Sequence, residues 1–158
     1  MSCVIDHRTK LRSNSYVMRL PGVTILTVED EGAVLEVIRR TLERAGYRVL
    51  VAASPEVAIS LSVEHADSIE LLILDVIMPE LTGPQLRKRL QPHLGDVPTM
   101  YISGYTGNEL SSRGIDDTEI ALLGKPFTPA ELLTHVRRLL SVFAVNRMRN
   151  SGLCPQCY

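Results

Sequence analysis

The chain contains no tryptophan, and Phe127 and Phe143 are its only phenylalanines. Whatever core it builds must therefore be aliphatic. No apolar run approaches the roughly 18 residues of a membrane-spanning helix. An excess of one charge is missing too. Its 17 Lys and Arg stand against 18 Asp and Glu, for a formal net charge of -1. That balance gives no electrostatic footing for nucleic acid or for an anionic membrane surface. Cysteine is scarce and odd in number, at 3 residues, which does not suit a disulfide framework. Cys154 and Cys157 form a C-x-x-C near the end of the chain. A zinc site there would need two further ligands, and only Cys3, His7, His65, His93 and His135 remain. A terminal tail is the simpler expectation. Charges from Asp6 to Arg12 interrupt any secretory signal pattern, so a cytoplasmic location is expected.

What is present is an ordinary globular balance. Of 158 residues, 45% are hydrophobic and 22% charged, enough for one domain with a sizeable core. Residues 1–22 are polar and mildly basic and are expected to be a flexible leader. The domain is expected over 23–143, and 144–158 as a disordered tail. Inside the domain, apolar runs alternate with helical patterns. Val23–Val28 reads as a strand. Gly32–Ala45 reads as a helix, with Val34, Ile38, Thr41 and Ala45 on one stripe flanked by Val37 and Leu42. Gly46 follows as a C-cap. Arg48–Ala52 is a second strand, and Ser54-Pro55-Glu56 starts a helix to about His65. Leu71-Leu72-Ile73-Leu74 reads as a strand buried on both faces, ending in Asp75 and closed off by Met78-Pro79. Gly83-Pro84 opens a third helix, stopped by Pro92. Val97–Ser103 is a fourth strand. Thr106 and Glu109 suggest a capping box for a short helix ending near Gly114. Ile120–Leu123 is a fifth strand, and Thr128–Glu131 caps a last helix.

Five β-α units in about 120 residues imply parallel strands in an open, doubly wound α/β sheet with helices on both faces. In such a sheet every strand points one way, so the residues that follow the strands share an edge. Glu29 and Asp30 follow the first strand, Asp75 the third, Ser103 the fourth and Lys125 the fifth. Three clustered carboxylates repel one another, by roughly 4 kcal/mol per pair at 4 Å and an effective dielectric near 20. A hard divalent cation such as Mg²⁺ relieves that repulsion. A cation, a lysine and a hydroxyl around a remaining carboxylate make a phosphoryl-transfer site with the carboxylate as nucleophile.

The set Glu29-Asp30, Asp75 with Met78-Pro79, Ser103-Gly104 and Lys125-Pro126-Phe127 resembles the receiver domain of two-component response regulators, over about residues 23–143. The resemblance implies a flavodoxin-like (βα)5 fold with strand order 2-1-3-4-5. It implies that Asp75 accepts phosphate from a phosphohistidine. Asp30, Glu29, Asp75 and the backbone carbonyl of Ile77 would hold Mg²⁺. Lys125 would pair with phosphoryl oxygens, Ser103 would hydrogen-bond one of them, and the Lys125–Pro126 peptide would be cis. Such a domain catalyses only its own phosphorylation and dephosphorylation. Its partner would be a histidine kinase or a histidine phosphotransfer protein, and a homodimer stays open.

Some positions depart from the family pattern. Many receivers carry an aromatic three residues before the lysine, where this chain has Leu122, so the readout of Ser103 movement is expected to use other side chains. Ile77 and Tyr105, both bulky, are expected to restrict attacking water and lengthen the phosphoryl lifetime. Leu35, at the edge of the first helix's stripe, is a candidate kinase contact or a core-edge residue. No attached output domain is expected. The chain reads as a stand-alone receiver, or as a receiver from the end of a hybrid histidine kinase, since Tyr16–Pro21 resembles the closing strand of a kinase ATP-binding domain. A receiver-like binding module and an Asp-nucleophile hydrolase are the alternatives. The hydrolase reading is disfavoured by Ile77, where such phosphatases place a second acid.

Overall fold

The computed structural model describes residues 22–105, 107–112 and 121–150. The elements alternate strictly: β1 (Thr24–Val28), α1 (Gly32–Arg44), β2 (Arg48–Ala52), α2 (Pro55–Glu64), β3 (Ile69–Asp75), α3 (Gly83–Leu94), β4 (Thr99–Ser103), α4 (Gly107–Ser112), β5 (Ala121–Gly124) and α5 (Pro129–Asn150). The strands form one parallel sheet in the order β2-β1-β3-β4-β5. That is the expected doubly wound fold.

β1 is buried along its whole length, and β3 at every residue except Glu70. Helices cover both faces of these central strands, so their side chains cannot alternate between oil and water. One face, with Ile25, Ile73 and Ile102, packs on Ile38 and Leu42 of α1 and on Leu132 and Val136 of α5. The other, with Leu26, Leu74 and Tyr101, packs on Ala58 of α2, Leu86 and Leu90 of α3, and Leu110 of α4. Each fully buried aliphatic side chain contributes about 1.5–3 kcal/mol. The buried core is aliphatic but for Tyr101, in keeping with the missing tryptophan and scarce phenylalanine.

Several boundaries differ from the sequence expectation. β3 begins at Ile69, because a single charged Glu70 points out of an otherwise buried strand. Pro92 does not stop α3, which runs to Leu94 and ends at Gly95 with φ +63°. A proline two residues from the end forfeits one hydrogen bond that the last turn can do without. β4 begins at Thr99 because Pro98 has no amide to give the ladder; its carbonyl still accepts from Leu72 N at 2.9 Å. On α1 the buried stripe centres on Ile38 and Leu42, and Val37 is exposed. α5 continues past residue 143 to Asn150, so the first part of the expected tail is helical. No glycine or proline interrupts Ala144–Asn150, and propensity carries the helix beyond the end of its buried face. The leader up to Pro21, Thr106, Gly114, Ile120 and the Cys154/Cys157 motif lie outside the described residues. Among those described, no helix is long and apolar enough to cross a membrane.

Candidate functional site

The strand order reverses direction between β1 and β3, and crevices at such switch points hold the ligands of open α/β sheets. Val28 lies beside Leu74 in register, so the residues just after them meet. Glu29, Asp30 and Asp75 each bring a carboxylate oxygen within 4.8 Å of the others. Glu29 and Asp75 are only 1% and 7% exposed, while Asp30 is open to solvent. Lys125, just past β5, reaches across the edge. Its Nζ stands 2.8 Å from Glu29 Oε2 and 3.6 Å from Asp75 Oδ1.

The electrostatics follow from this crowding. The Asp75 carboxyl is pushed up to about 6, first by burial, then by the charge of Glu29 and more weakly that of Asp30. Lys125 and the Ile77 amide pull it back down. The Lys125 ammonium is itself held above its ordinary value. Burial opposes that, but contact with Glu29 and the charges of Asp75, Glu29 and Glu31 prevail. Glu29 spends its other oxygen locally, where Oε1 accepts from Glu31 N at 3.2 Å. Glu29 Oε2 is buried against the Lys125 ammonium, with which it forms an ion pair.

Ser103 closes β4 and is buried, one residue past Ile102, which lies beside Asp75. Its hydroxyl oxygen accepts from Tyr105 N at 3.0 Å, and its carbonyl accepts from Lys125 N at 2.7 Å. The end of β4 is thereby tied to the residue that carries the ammonium. The Lys125–Pro126 peptide is cis. Ile77 is half-buried and packs on the α2–α3 side of the core. It forms an isolated bridge with Thr82 that is closed from its flank, by Gly83 N donating to Val76 O at 2.8 Å. Tyr105 is 38% exposed at the rim. Leu122 is half-buried and lies beside Tyr101 in register. Leu35 is half-buried on α1. All five predicted site groups, Glu29, Asp30, Asp75, Ser103 and Lys125, thus arrive at one edge.

Other residues around the site escaped the sequence reading. Gly83 reads as a helix start, yet it is also a packing requirement. A Cβ there would stand 2.4 Å from the backbone oxygen of Asp75. Thr82 and Gln85 form a reciprocal capping box on the same turn, and S/T-x-x-Q was the signal that could have revealed it. The donor set suits a hard cation. Among the described residues it offers three carboxylates on one edge with the Lys125 ammonium set against them.

Over residues 25–137 the sequence matches the response regulator receiver domain family. The chain belongs to this family. Sensor kinase CckA of Brucella abortus (strain 2308) is 34% identical over 119 residues, which are 75% of this chain and 13% of that protein. Response regulator SaeR of Staphylococcus aureus (strain USA300) is 30% identical over 121 residues, 74% of this chain and 50% of that protein. The chain therefore spans half or less of these curated relatives. Among solved structures, the receiver domain from hybrid histidine kinase CckA is 42% identical, with a TM-score of 0.63, covering 74% of this chain and 98% of that one. A response regulator receiver protein from Sinorhizobium medicae WSM419 is 32% identical, with a TM-score of 0.64 and coverage of 76% and 95%. This receiver domain shares its strand order and layers with the family.

Proposed function

We propose that this receiver domain takes a phosphoryl group from a phosphohistidine onto Asp75. An oxygen of Asp75 attacks phosphorus, the N–P bond breaks, and the imidazole leaves with the bonding pair. What supports this reading is the Asp75 carboxylate set between the Lys125 ammonium and two further carboxylates. Asp30, Glu29, Asp75 and the Ile77 carbonyl would hold Mg²⁺, which when bound supplies positive charge against the phosphoryl oxygens. Lys125 sits within reach of Asp75 and orients the incoming group by charge. The Ser103 hydroxyl accepts from Tyr105 N and so keeps its own proton to donate to a phosphoryl oxygen. Ile77 and Tyr105 flank the site and exclude attacking water, lengthening the adduct's life. With Leu122 in place of an aromatic, the readout passes through other side chains. The module acts on itself and not on a separate substrate.

The phosphodonor is a histidine kinase or a histidine phosphotransfer protein, with Leu35 at the edge of its footprint. The 42% identity to a receiver from a hybrid histidine kinase favours the hybrid-kinase context over a free-standing regulator. Both contexts are cytoplasmic.

The test is incubation with a small acyl phosphate and Mg²⁺, followed by intact mass measurement. One phosphoryl adduct per chain, absent in Asp75→Asn and in EDTA, is expected. An adduct that survives Asp75→Asn overturns the assignment, and sustained turnover of phosphate esters makes the chain a hydrolase.

A further inference from the structure

Gly83 opens α3 with no room for a side chain. A Cβ there would lie 2.4 Å from the backbone oxygen of Asp75, and 3.1 and 3.2 Å from Cδ1 and Cε1 of Tyr101. The backbone oxygen of Asp75 and the edge of the Tyr101 ring therefore border the same small space, which only a glycine at position 83 leaves open. The same turn grips the next two residues. Gly83 N donates to Val76 O at 2.8 Å, and Thr82 bridges Ile77. Residues 75–77 are thus set against the first turn of α3, and the edge of the Tyr101 ring faces that turn at Gly83.

Tyr101 is well placed for this. It is 6% exposed and belongs to the core on that face of the sheet. It lies beside Leu74 on β3 and beside Leu122 on β5. It precedes Ser103 by two residues, so the two share a strand face. Its in-register neighbours stand one residue before Asp75 and three before Lys125. One helical turn after Gly83, Arg87 fastens α3 to the segment leading into β4. Its Nε donates to Thr99 Oγ1 at 3.0 Å and its Nη2 to Gly95 O at 2.8 Å. α3 is held by a guanidinium at one turn and set to depth by a ring at the turn before.

We propose that Tyr101 is a positioning residue for phosphoryl transfer at Asp75, its ring fixing the main chain of residues 75–77 through Gly83. The inference rests on Asp75 being the phosphoacceptor. The ring edge at Cδ1 and Cε1, not the hydroxyl, is what faces Gly83. A leucine would keep the site apolar but replace a flat edge with two methyl groups, and the first turn of α3 would settle differently. Transfer needs reacting atoms about 3–3.5 Å apart and in line, and displacements well under 1 Å slow such steps.

The experiment follows phosphorylation of the full chain by a small acyl phosphate with saturating Mg²⁺, varying acyl phosphate. Rates are expressed per folded molecule, with the folded fraction taken from the urea transition. Tyr101→Leu is expected to lower the maximal rate about tenfold, with the half-saturating acyl phosphate concentration changed less than about twofold. Tyr101→Phe is expected to stay within about twofold of wild type in both. Gly83→Ala, which crowds the contact from the other side, is expected to reproduce the Tyr101→Leu pattern. If Tyr101→Leu does not fold, Tyr101→Met is held to the same criteria. A Tyr101→Leu maximal rate equal to wild type overturns the proposal, as does a Tyr101→Phe variant as slow as Tyr101→Leu. An unreactive wild-type chain instead overturns the phosphoacceptor reading of Asp75.

Discussion

At Asp75 the protein holds a carboxyl group at about 6 in the absence of a cation, raised by burial and by Glu29. A pKa raised on folding means that the native state prefers the protonated group. The stabilising effect is complete below the unfolded value near 4 and disappears as pH rises through 6. A shift of that size in an enclosed group corresponds to about 3 kcal/mol, and solvent at the cleft mouth reduces it to about half. In EDTA, Asp75→Asn should therefore be more stable than wild type by about 1–2 kcal/mol at pH 7.5, with the difference closing by pH 4. Urea midpoints across that range check it. A gap that does not change with pH would mean that the carboxyl is not strained by its neighbours. The chemistry-bearing residues were legible in the sequence because the parallel topology turns strand ends into one edge, and Glu29, Asp30, Asp75, Ser103 and Lys125 need only be counted off. Gly83 and Tyr101 were not legible as a pair. A glycine α-carbon against a distant carbonyl and a ring leaves no periodicity and no motif.

Among the elements, the helix starts differ in a way that follows function. α3 carries a reciprocal cap from Thr82 and Gln85, and α5 carries one from Thr128 and Glu131. α1 has no side-chain cap, and Glu29, three residues before its start, takes Glu31 N with one oxygen and meets Lys125 with the other. Thr82→Ala should cost about 1 kcal/mol of global stability in chemical denaturation. Because the capped turn also carries the main-chain bridge to Ile77, loosening it should in addition slow phosphorylation at Asp75, whereas Thr128→Ala should cost similar stability and leave the rate unchanged. Equal rates in all three proteins would separate the α3 cap from the site. Element identities were readable from period and caps. Ends were less so where one residue obeys a three-dimensional rule, as with Glu70 leaving a buried strand or Pro92 tolerated in a last turn.

For the whole molecule, two aliphatic layers sandwich one sheet, and the central strands have no solvent face. Leu74→Ala removes a fully buried side chain beside the site and should cost about 2–5 kcal/mol. Mg²⁺ should raise the midpoint of thermal unfolding at pH 7.5, since a ligand that binds only the native state stabilises it by RT ln(1 + [L]/Kd). Asp30→Asn should lose most of that shift while remaining folded, and calorimetry with and without Mg²⁺ tests it. A full shift in Asp30→Asn would remove that residue from the cation site. The topology itself was implied by the β-α rhythm and by the family resemblance.

The ion pair between Lys125 and Glu29 joins the first strand's end to the last's. During synthesis the acidic residues emerge long before the lysine that steadies them. A nascent chain can carry every carboxylate of the site and still lack the ammonium that faces them until β5 has left the ribosome and docked. The site's charges are therefore balanced only in a chain whose last strand has been made and docked.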